Sequence, residues 1–401
     1  MATESKDRLD RRDFIIATIA SGAAAGTLAA TTTSNANAQD AAASTTGLMR
    51  DAPQGTVYTG DVIQGKKVIS TLDVRDLEPG KHLFHFQGVQ APTGQHWYVS
   101  VTVAKGAKPG KRVLLVSGVH GDEISSVHTI QTIMNKLDPA EMSGTVIAVP
   151  DVSRPALEGM ARRWPNSGRG IDLIDMNREW PGDEDGASAT SRHAGLLFNK
   201  LFRPNADYAI DFHTAATGID ATSFHLARMD LPEVRAMAEL YPINQIFDNR
   251  AYPTLLANAF IDAGIPAFTP EIGAPRILDH AMVPLFVEGT MNVLKHHGII
   301  AGQIGRTGHD SSVFVATGGH TVLATHGGFV ELLVKLNDDV AVGQRLAIQR
   351  NTFGEVVAEY TSGVAGKVLG YRSDATAEPG TPLVFIFYNS TSPEFPVDYV
   401  E

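Results

Sequence analysis

The sequence predicts an α/β domain with a mostly parallel sheet flanked by helices, followed by a small all-β domain. Between residues 111 and 306, short apolar runs such as "RVLLVSGV" and "ADYAIDFHT" alternate with helix-like stretches such as "ISSVHTIQTIMNKL". This alternation is typical of helices packed on a parallel sheet. After residue 306 the helix-like stretches stop, and short apolar runs are separated by Gly, Asn and Asp turns. A length of 401 residues with 43% hydrophobic content is enough for two or three domains.

The N-terminal 38 residues predict an export signal that is not part of the fold. Arg11 and Arg12 precede Phe14 and a mildly apolar segment rich in Ala and Gly, and the small residues "ANA" end at Ala38. Paired arginines before a weakly apolar segment are typical of a twin-arginine signal. We therefore expect cleavage near Ala38, a periplasmic mature protein and no membrane contact after cleavage. The alternative is an uncleaved anchor, but a span needs about 20 strongly apolar residues.

Three further segments follow the predicted signal peptide. Residues 39–55 are small and polar and predict a linker. Residues 56–306 are expected to form the catalytic domain, which opens with strands because runs such as "HLFHFQGVQ" and "HWYVSVTVA" alternate in polarity. Residues 307–401 are expected to form the C-terminal β domain.

Composition restricts the partners and the chemistry. The chain has 33 Lys and Arg against 44 Asp and Glu, for a net charge of −11, and it has no clustered basic stripe. Such a surface repels phosphate backbones, so nucleic acid is not an expected partner. The chain has no cysteine, so any transition-metal site must use His, Asp or Glu.

Four residues of metal-binding types follow two of the predicted strands. His120 and Glu123 come just after "RVLLVSGV", and Asp211 and His213 end "ADYAIDFHT". In an open α/β sheet, ligands bind outside the carboxyl ends of the strands, so we expect these side chains to gather at one edge. Two imidazoles and one carboxylate leave the fourth zinc position for water, which is typical of catalytic zinc.

Two further stretches supply the remaining parts of a hydrolytic mechanism. "DMNREWPG" contains Asp175, Asn177 and Arg178, and "FTPEIG" contains Glu271. A free carboxylate such as Glu271 would take a proton from the water and return it to the leaving amine. A guanidinium such as Arg178 binds a carboxylate through two parallel hydrogen bonds. Taken alone, each residue has an ordinary structural explanation, as a loop histidine, a member of an ion pair or a helix cap. Together, the residues supply every part of one reaction.

These motifs, "GVHGDE", "DMNREWPG", "DFHT" and "PEIG", resemble the succinylglutamate desuccinylase/aspartoacylase family in order and spacing, over roughly residues 110–390. The family is related to zinc carboxypeptidases. The resemblance implies a zinc carboxypeptidase-like fold with a C-terminal barrel-sandwich domain. It also implies one Zn²⁺ per chain, held by His120, Glu123 and His213, with Glu271 as the general base.

The resemblance assigns three more roles. It implies that Asn177 and Arg178 bind the substrate carboxylate and that Asp175 orients a ligand histidine. The family also has an arginine that polarises the scissile carbonyl. "MARRWPNSGRGID" offers Arg162 and Arg163 for this role. We prefer Arg163, two residues before the proline of this stretch, while an insertion leaves Arg162 open. The usual "DLNR" of the family is "DMNR" here.

The expected function is zinc-dependent hydrolysis of the amide bond of an N-acyl amino acid or a similar carboxylate-bearing amide. A zinc exopeptidase of the carboxypeptidase type would use the same metal and the same arginine, and it is the alternative within enzymes. A non-catalytic periplasmic binding protein is the alternative outside enzymes. A homo-oligomer is left open.

Overall fold

The computed structural model describes residues 55–166, 172–249 and 255–390. The predicted signal peptide and all but the last residue of the predicted linker lie outside the described residues. Within them, no helix is both long and apolar enough to cross a membrane. The predicted fold class, an α/β region with a C-terminal β region, is confirmed.

Most strands of the first region join one sheet of eleven strands. The strands of this region are β1 Val57–Ile63, β2 Lys66–Thr71, β3 Gly80–Gln90, β4 His96–Lys105, β5 Lys108–Val116, β6 Ser143–Val149, β7 Trp164–Asn166, β8 Asp172–Ile174, β9 Tyr208–Asp211, β10 Ile219–Ala221, β11 Ser223–Ala227, β12 Gln245–Asp248, β13 Ala267–Ile272 and β14 Phe314–Ala316. Their order across the large sheet is β1-β2-β3-β4-β6-β5-β9-β13-β11-β12-β14, and β7 and β8 form a separate hairpin.

The centre of the large sheet is parallel, as predicted. The three pairs β6–β5, β5–β9 and β9–β13 are parallel. Antiparallel strands flank this centre, with β4 beside β6 and β11 beside β13. The N-terminal strands predicted between residues 56 and 105 therefore extend the same sheet.

Helices cover both faces of the sheet. They are α1 Ile124–Lys136, α2 Arg154–Glu158, α3 Ala189–Leu197, α4 Pro232–Ala238, α5 Leu256–Asp262 and α6 Val283–His296. Along β5, Val113 and Leu115 pack in the core layer that contains α1, α4 and α6. Leu114 and Val116 pack in the opposite layer, which contains α3 and α5. A strand buried on both faces reads as a continuous apolar run, which is why "RVLLV" shows no polar alternation.

The C-terminal region consists of two antiparallel sheets. Its strands are β15 Gly318–Leu323, β16 Gly328–Leu332, β17 Asp339–Val340, β18 Arg345–Arg350, β19 Val356–Thr361, β20 Gly366–Arg372, β21 Thr376–Ala377 and β22 Pro382–Tyr388. One sheet has the order β19-β18-β16-β21, and the other has the order β10-β20-β22-β15 with β17 also beside β20. The two sheets pack around a shared core that includes Leu346, Val368 and Leu383.

The two regions exchange strands across the predicted boundary between residues 306 and 307. Strand β14 lies after that boundary but pairs with β12 in the large sheet. Strand β10 lies before it but pairs with β20 in the C-terminal sheet. An apolar cluster that includes Phe224, Phe247 and Phe385 joins the two regions. The helical pattern therefore ends before the large sheet does.

Candidate active site

The predicted site residues meet at the carboxyl edge of three adjacent parallel strands. His120 lies four residues after β5, His213 lies two residues after β9, and Glu271 is the penultimate residue of β13. These strands are neighbours in the order β5-β9-β13. The sheet topology therefore brings together residues that are about 150 positions apart in the chain.

The backbone of His213 fixes its position beside Glu271. The His213 amide donates to the carbonyl oxygen of Pro270 at 2.8 Å, and the His213 carbonyl oxygen accepts from the amide of Ile272 at 2.9 Å. These two bonds flank Glu271, so a histidine and a carboxylate from separate strands are held in a single register.

The loop after β5 needs glycine in order to carry His120 into the site. Gly118 has a φ of +68°, in the left-handed region that side chains disfavour. A Cβ added at Gly121 would lie 2.0 Å from the carbonyl carbon of Ala156. Asp122 then ties this loop to the loop after β9, because its carboxylate accepts from the backbone and the hydroxyl of Thr217.

Three side chains form a compact cluster that could hold a metal ion. Candidate ligand atoms of His120, Glu123 and His213 all lie within 4.8 Å of one another. The two Nδ1 atoms are 3.2 Å apart, and they lie 2.6 and 2.8 Å from the two oxygens of Glu123. All three side chains are at most 2% exposed. Two imidazole nitrogens and one carboxylate are the donor set that zinc takes in catalytic sites.

The outer nitrogen of each histidine contacts another carboxylate. Nε2 of His120 lies 2.9 Å from Oδ1 of Asp175, which is the residue that the sequence analysis chose for this position. Nε2 of His213 lies 3.0 Å from Oδ2 of Asp211. Such carboxylates fix the ring orientation and leave Nδ1 directed at the cluster. The sequence analysis gave Asp211 no role, although a D-x-H spacing at a strand end places both side chains on one face.

The arginine in contact with the cluster is Arg162. Its Nη1 donates to Oε1 of Glu123 at 3.0 Å, and its Nη2 lies 3.6 Å from Oδ2 of Asp175. Arg163 is exposed and only lines the same cavity. The geometry therefore favours Arg162, where the sequence analysis preferred Arg163. Spacing cannot distinguish adjacent arginines, because it does not tell which of them faces inward.

Asn177 and Arg178 line the cavity beside the cluster. The amide oxygen of Asn177 accepts from the backbone of Leu256 at 3.0 Å, and its amide nitrogen lies 3.4 Å from Nε2 of His213. Nη1 of Arg178 donates to the backbone oxygen of Asn177 at 3.0 Å. Asn177 therefore links the cluster to the start of α5, and Arg178 presents its guanidinium from the same turn.

The two glutamates of the site have opposite electrostatic environments. Burial raises the pKa of Glu271 well above its ordinary value, and the neighbouring Glu123 adds to this effect. Burial also raises the pKa of Glu123, but His120 and His213 outweigh it and hold this pKa well below its usual range. A carboxyl whose pKa is shifted toward neutrality is suited to taking and returning protons, whereas one that stays ionised is suited to binding a cation.

The cluster opens into a cavity of about 370 Å³. Its outer walls come from both regions of the protein. The C-terminal sheet contributes Leu369, Gly370, Arg372, Pro382 and Phe385. The sequence carried no signal for these wall residues, because they belong to ordinary strands with no motif.

Known proteins are similar to this chain in sequence. Residues 109–297 match the model of the succinylglutamate desuccinylase/aspartoacylase catalytic domain. The chain is 26% identical over 301 residues to the N-alpha-acetyl-L-2,4-diaminobutyric acid deacetylase of Halomonas elongata, covering 72% of this chain and 85% of that protein. Residues 109–297 are therefore similar to the succinylglutamate desuccinylase/aspartoacylase catalytic domain.

Several solved structures share the fold of this chain. A succinylglutamate desuccinylase/aspartoacylase from Rhodobacter sphaeroides aligns with a TM-score of 0.68 at 23% identity, covering 79% of this chain and 98% of that one. The product-bound ectoine utilization protein EutE of Ruegeria pomeroyi aligns with a TM-score of 0.69 at 22% identity, covering 78% and 97%. A succinylglutamate desuccinylase from a Silicibacter species gives a TM-score of 0.67 at 22% identity, covering 85% and 100%.

Proposed function

We propose that the protein is a zinc-dependent amidohydrolase that cleaves the amide bond of an N-acyl amino acid or a similar carboxylate-bearing amide. One observation carries the proposal. The buried cluster of His120, Glu123 and His213 lies beside Glu271 in a cavity that Arg178 also lines. The similarity to a deacetylase of an N-acetylated amino acid supports it.

The donor set fits one Zn²⁺ per chain. Two histidine nitrogens and one carboxylate supply three ligands and leave a fourth position for water or substrate. Zinc bound there supplies a Lewis acid, which lowers the pKa of water to about 7 and polarises a carbonyl group. Asp175 and Asp211 hold the imidazoles of His120 and His213 in the orientation that binding requires.

The remaining residues divide the work of proton transfer, charge stabilisation and substrate binding. Glu271 takes the proton of the attacking water and delivers it to the leaving nitrogen. The guanidinium of Arg162 stabilises the negative charge that develops on the carbonyl oxygen. Arg178 clamps the carboxylate of the amino acid through two parallel hydrogen bonds.

The cavity favours a deacylase over the exopeptidase alternative. A volume of about 370 Å³, walled on one side by β20 and β22, suits a small amide. An exopeptidase needs an open groove for the rest of its polypeptide substrate. The presence of Glu271 argues against a non-catalytic binding protein, because binding alone has no need of a proton carrier.

A substrate panel with and without a chelator tests the proposal. We expect N-acetyl and N-succinyl amino acids to be hydrolysed faster than dipeptides, chelation to abolish the activity, and added Zn²⁺ to restore it. Faster release from dipeptides would favour the exopeptidase. Ligand-induced thermal stabilisation of wild-type protein without turnover of any amide would favour the binding protein.

We propose, in addition, that the protein is exported to the periplasm by the twin-arginine signal. The paired Arg11 and Arg12 before a weakly apolar segment support this. Replacing both by lysine should leave a longer precursor in the cytoplasmic fraction, whereas the wild type should begin near Gln39 in the periplasmic fraction. Unchanged export of the double variant would reject this route.

A further inference from the structure

Among the residues that the structure describes, one buried hydroxyl in the cavity has no hydrogen-bond partner. Thr269 lies two residues before Glu271 on β13, on the same face of the strand, and both line the cavity. Its side chain is 2% exposed, and its Oγ1 has no hydrogen-bond partner among the described residues. A buried polar group without a partner has lost its hydration without gaining a hydrogen bond in return. A ligand that hydrogen-bonds to this hydroxyl would make up for that loss.

The surroundings of Thr269 are apolar. Leu226 is its direct partner across the β11–β13 ladder, and Leu255 lies just before α5. These three residues line both the main cavity and a narrow void behind it, and we call them the side-chain arm. Arg228 also lines that void, but its guanidinium is paired with Asp230 at 2.8 and 2.9 Å.

The arm lies next to the residues that would hold the substrate carboxylate. The backbone amide of Leu256 donates to the amide oxygen of Asn177 at 3.0 Å, so Leu255 is tied to the turn that carries Arg178. In the proposed reaction, Arg178 binds the α-carboxylate of the amino acid. The side chain leaves the same α-carbon, so the neighbouring arm is in position to receive it.

We infer that the side-chain arm selects substrates whose amino acid has an uncharged side chain that ends in a hydrogen-bonding group, such as a carboxamide or a hydroxyl. This inference rests on the proposed function and specifies its substrate class. The walls of Leu226 and Leu255 exclude water from the side chain, and Thr269 supplies one hydrogen bond. A charged side chain would lose its hydration there without gaining an opposite charge from these three residues.

Three amides of nearly equal size test the inference in the zinc-loaded enzyme. They are N-acetyl-L-asparagine, N-acetyl-L-leucine and N-acetyl-L-aspartate, which differ mainly in the polarity of the side chain. We expect kcat/KM to be highest for the asparagine derivative and at least about tenfold lower for the aspartate derivative. Fastest hydrolysis of the aspartate derivative would overturn the inference.

A matched pair of variants isolates the hydroxyl. Thr269→Val keeps the shape but removes the hydroxyl, so the ratio of kcat/KM for the asparagine derivative to that for the leucine derivative should fall about tenfold. Thr269→Ser should restore most of that ratio. Thr190→Val is the control, because Thr190 is fully buried with an unpartnered hydroxyl but does not line the cavity. An unchanged ratio in Thr269→Val would reject the role of the hydroxyl.

Binding to Glu271→Gln separates failure of the inference from failure of the proposed function. Calorimetric titration of this zinc-loaded variant with the three amides measures side-chain preference without turnover. If wild type hydrolyses none of them but the variant still binds the asparagine derivative most tightly, the proposed function fails and the side-chain arm stands. If the aspartate derivative binds most tightly, the inference fails whatever the turnover.

Discussion

The cluster of His120, Glu123 and His213 and the side-chain arm share one cavity but are built in opposite ways. In the cluster, both ring nitrogens of His120 and of His213 already contact carboxylates of the protein. In the arm, the one hydroxyl, that of Thr269, has no partner among the described residues, and Leu226 and Leu255 offer only apolar surface. In the proposed reaction, the protein therefore preorganises the groups that do chemistry, whereas the groups proposed to select the substrate are completed by the substrate itself.

The largest expected effect comes from removing a ligand of the cluster. His213→Ala takes away one of three metal ligands and the partner of Asp211, so we expect zinc content to fall from about one per chain to a small fraction and activity to fall to background. Elemental analysis after dialysis measures this. Thr269→Val, in the arm, should keep its zinc. Full zinc content in His213→Ala would show that the cluster is not the metal site.

Glu271→Gln separates chemistry from binding. Glutamine is close in shape but cannot accept and return a proton, so kcat should fall by about 10²–10⁴-fold, or about 3–5 kcal/mol in barrier, with KM little changed. Zinc content and the thermal melt should stay at wild-type values, because no metal ligand is altered. Turnover within a few-fold of wild type would mean that Glu271 is not the base.

The adjacent arginines give a matched pair for charge stabilisation. Arg162→Ala removes the guanidinium that contacts Glu123, and we expect kcat/KM to fall by about 10²–10³-fold, the usual cost of one oxyanion donor. Arg163→Ala should remain within a few-fold of wild type. Zinc content is measured in both variants, since a loss of metal would explain the first result differently. A larger effect at Arg163 would restore the preference that the sequence suggested.

The sequence predicted the cluster far better than the arm. His120 and Glu123 lie within one loop and follow a recognisable buried strand, and the sheet rule then places His213 and Glu271 at the same edge. These predictions need only local patterns and one rule of topology. The role of Asp211 was not predicted, because a carboxylate two residues before a histidine has many ordinary roles. Only the distance between its oxygen and Nε2 of His213 shows that it contacts this ring.

The arm and the outer wall depend on contacts that no local pattern encodes. Thr269 faces Leu226 because β11 runs antiparallel to β13, and the sequence pattern predicted only a mostly parallel sheet. Leu369 and Phe385 reach the cavity because the C-terminal sheet takes up β10 from the first region. Strand exchange of this kind is decided by tertiary packing. The residues that form the arm and the outer wall could therefore not be predicted from motifs.

The smallest expected effect comes from substituting Arg178, which we expect to bind the substrate carboxylate. Arg178→Lys keeps the charge but loses the planar fork that binds a carboxylate at two points, so KM for carboxylate substrates should rise by about tenfold, or about 1.4 kcal/mol, with kcat nearly unchanged. Arg163→Lys serves as the control on the same cavity wall. An N-acyl amino acid whose α-carboxylate is converted to a carboxamide should show no such difference between Arg178→Lys and wild type, because it offers nothing for the fork to hold. Equal KM values for the carboxylate substrate in wild type and variant would mean that another group binds the carboxylate, and the side-chain arm would then lose its reference point.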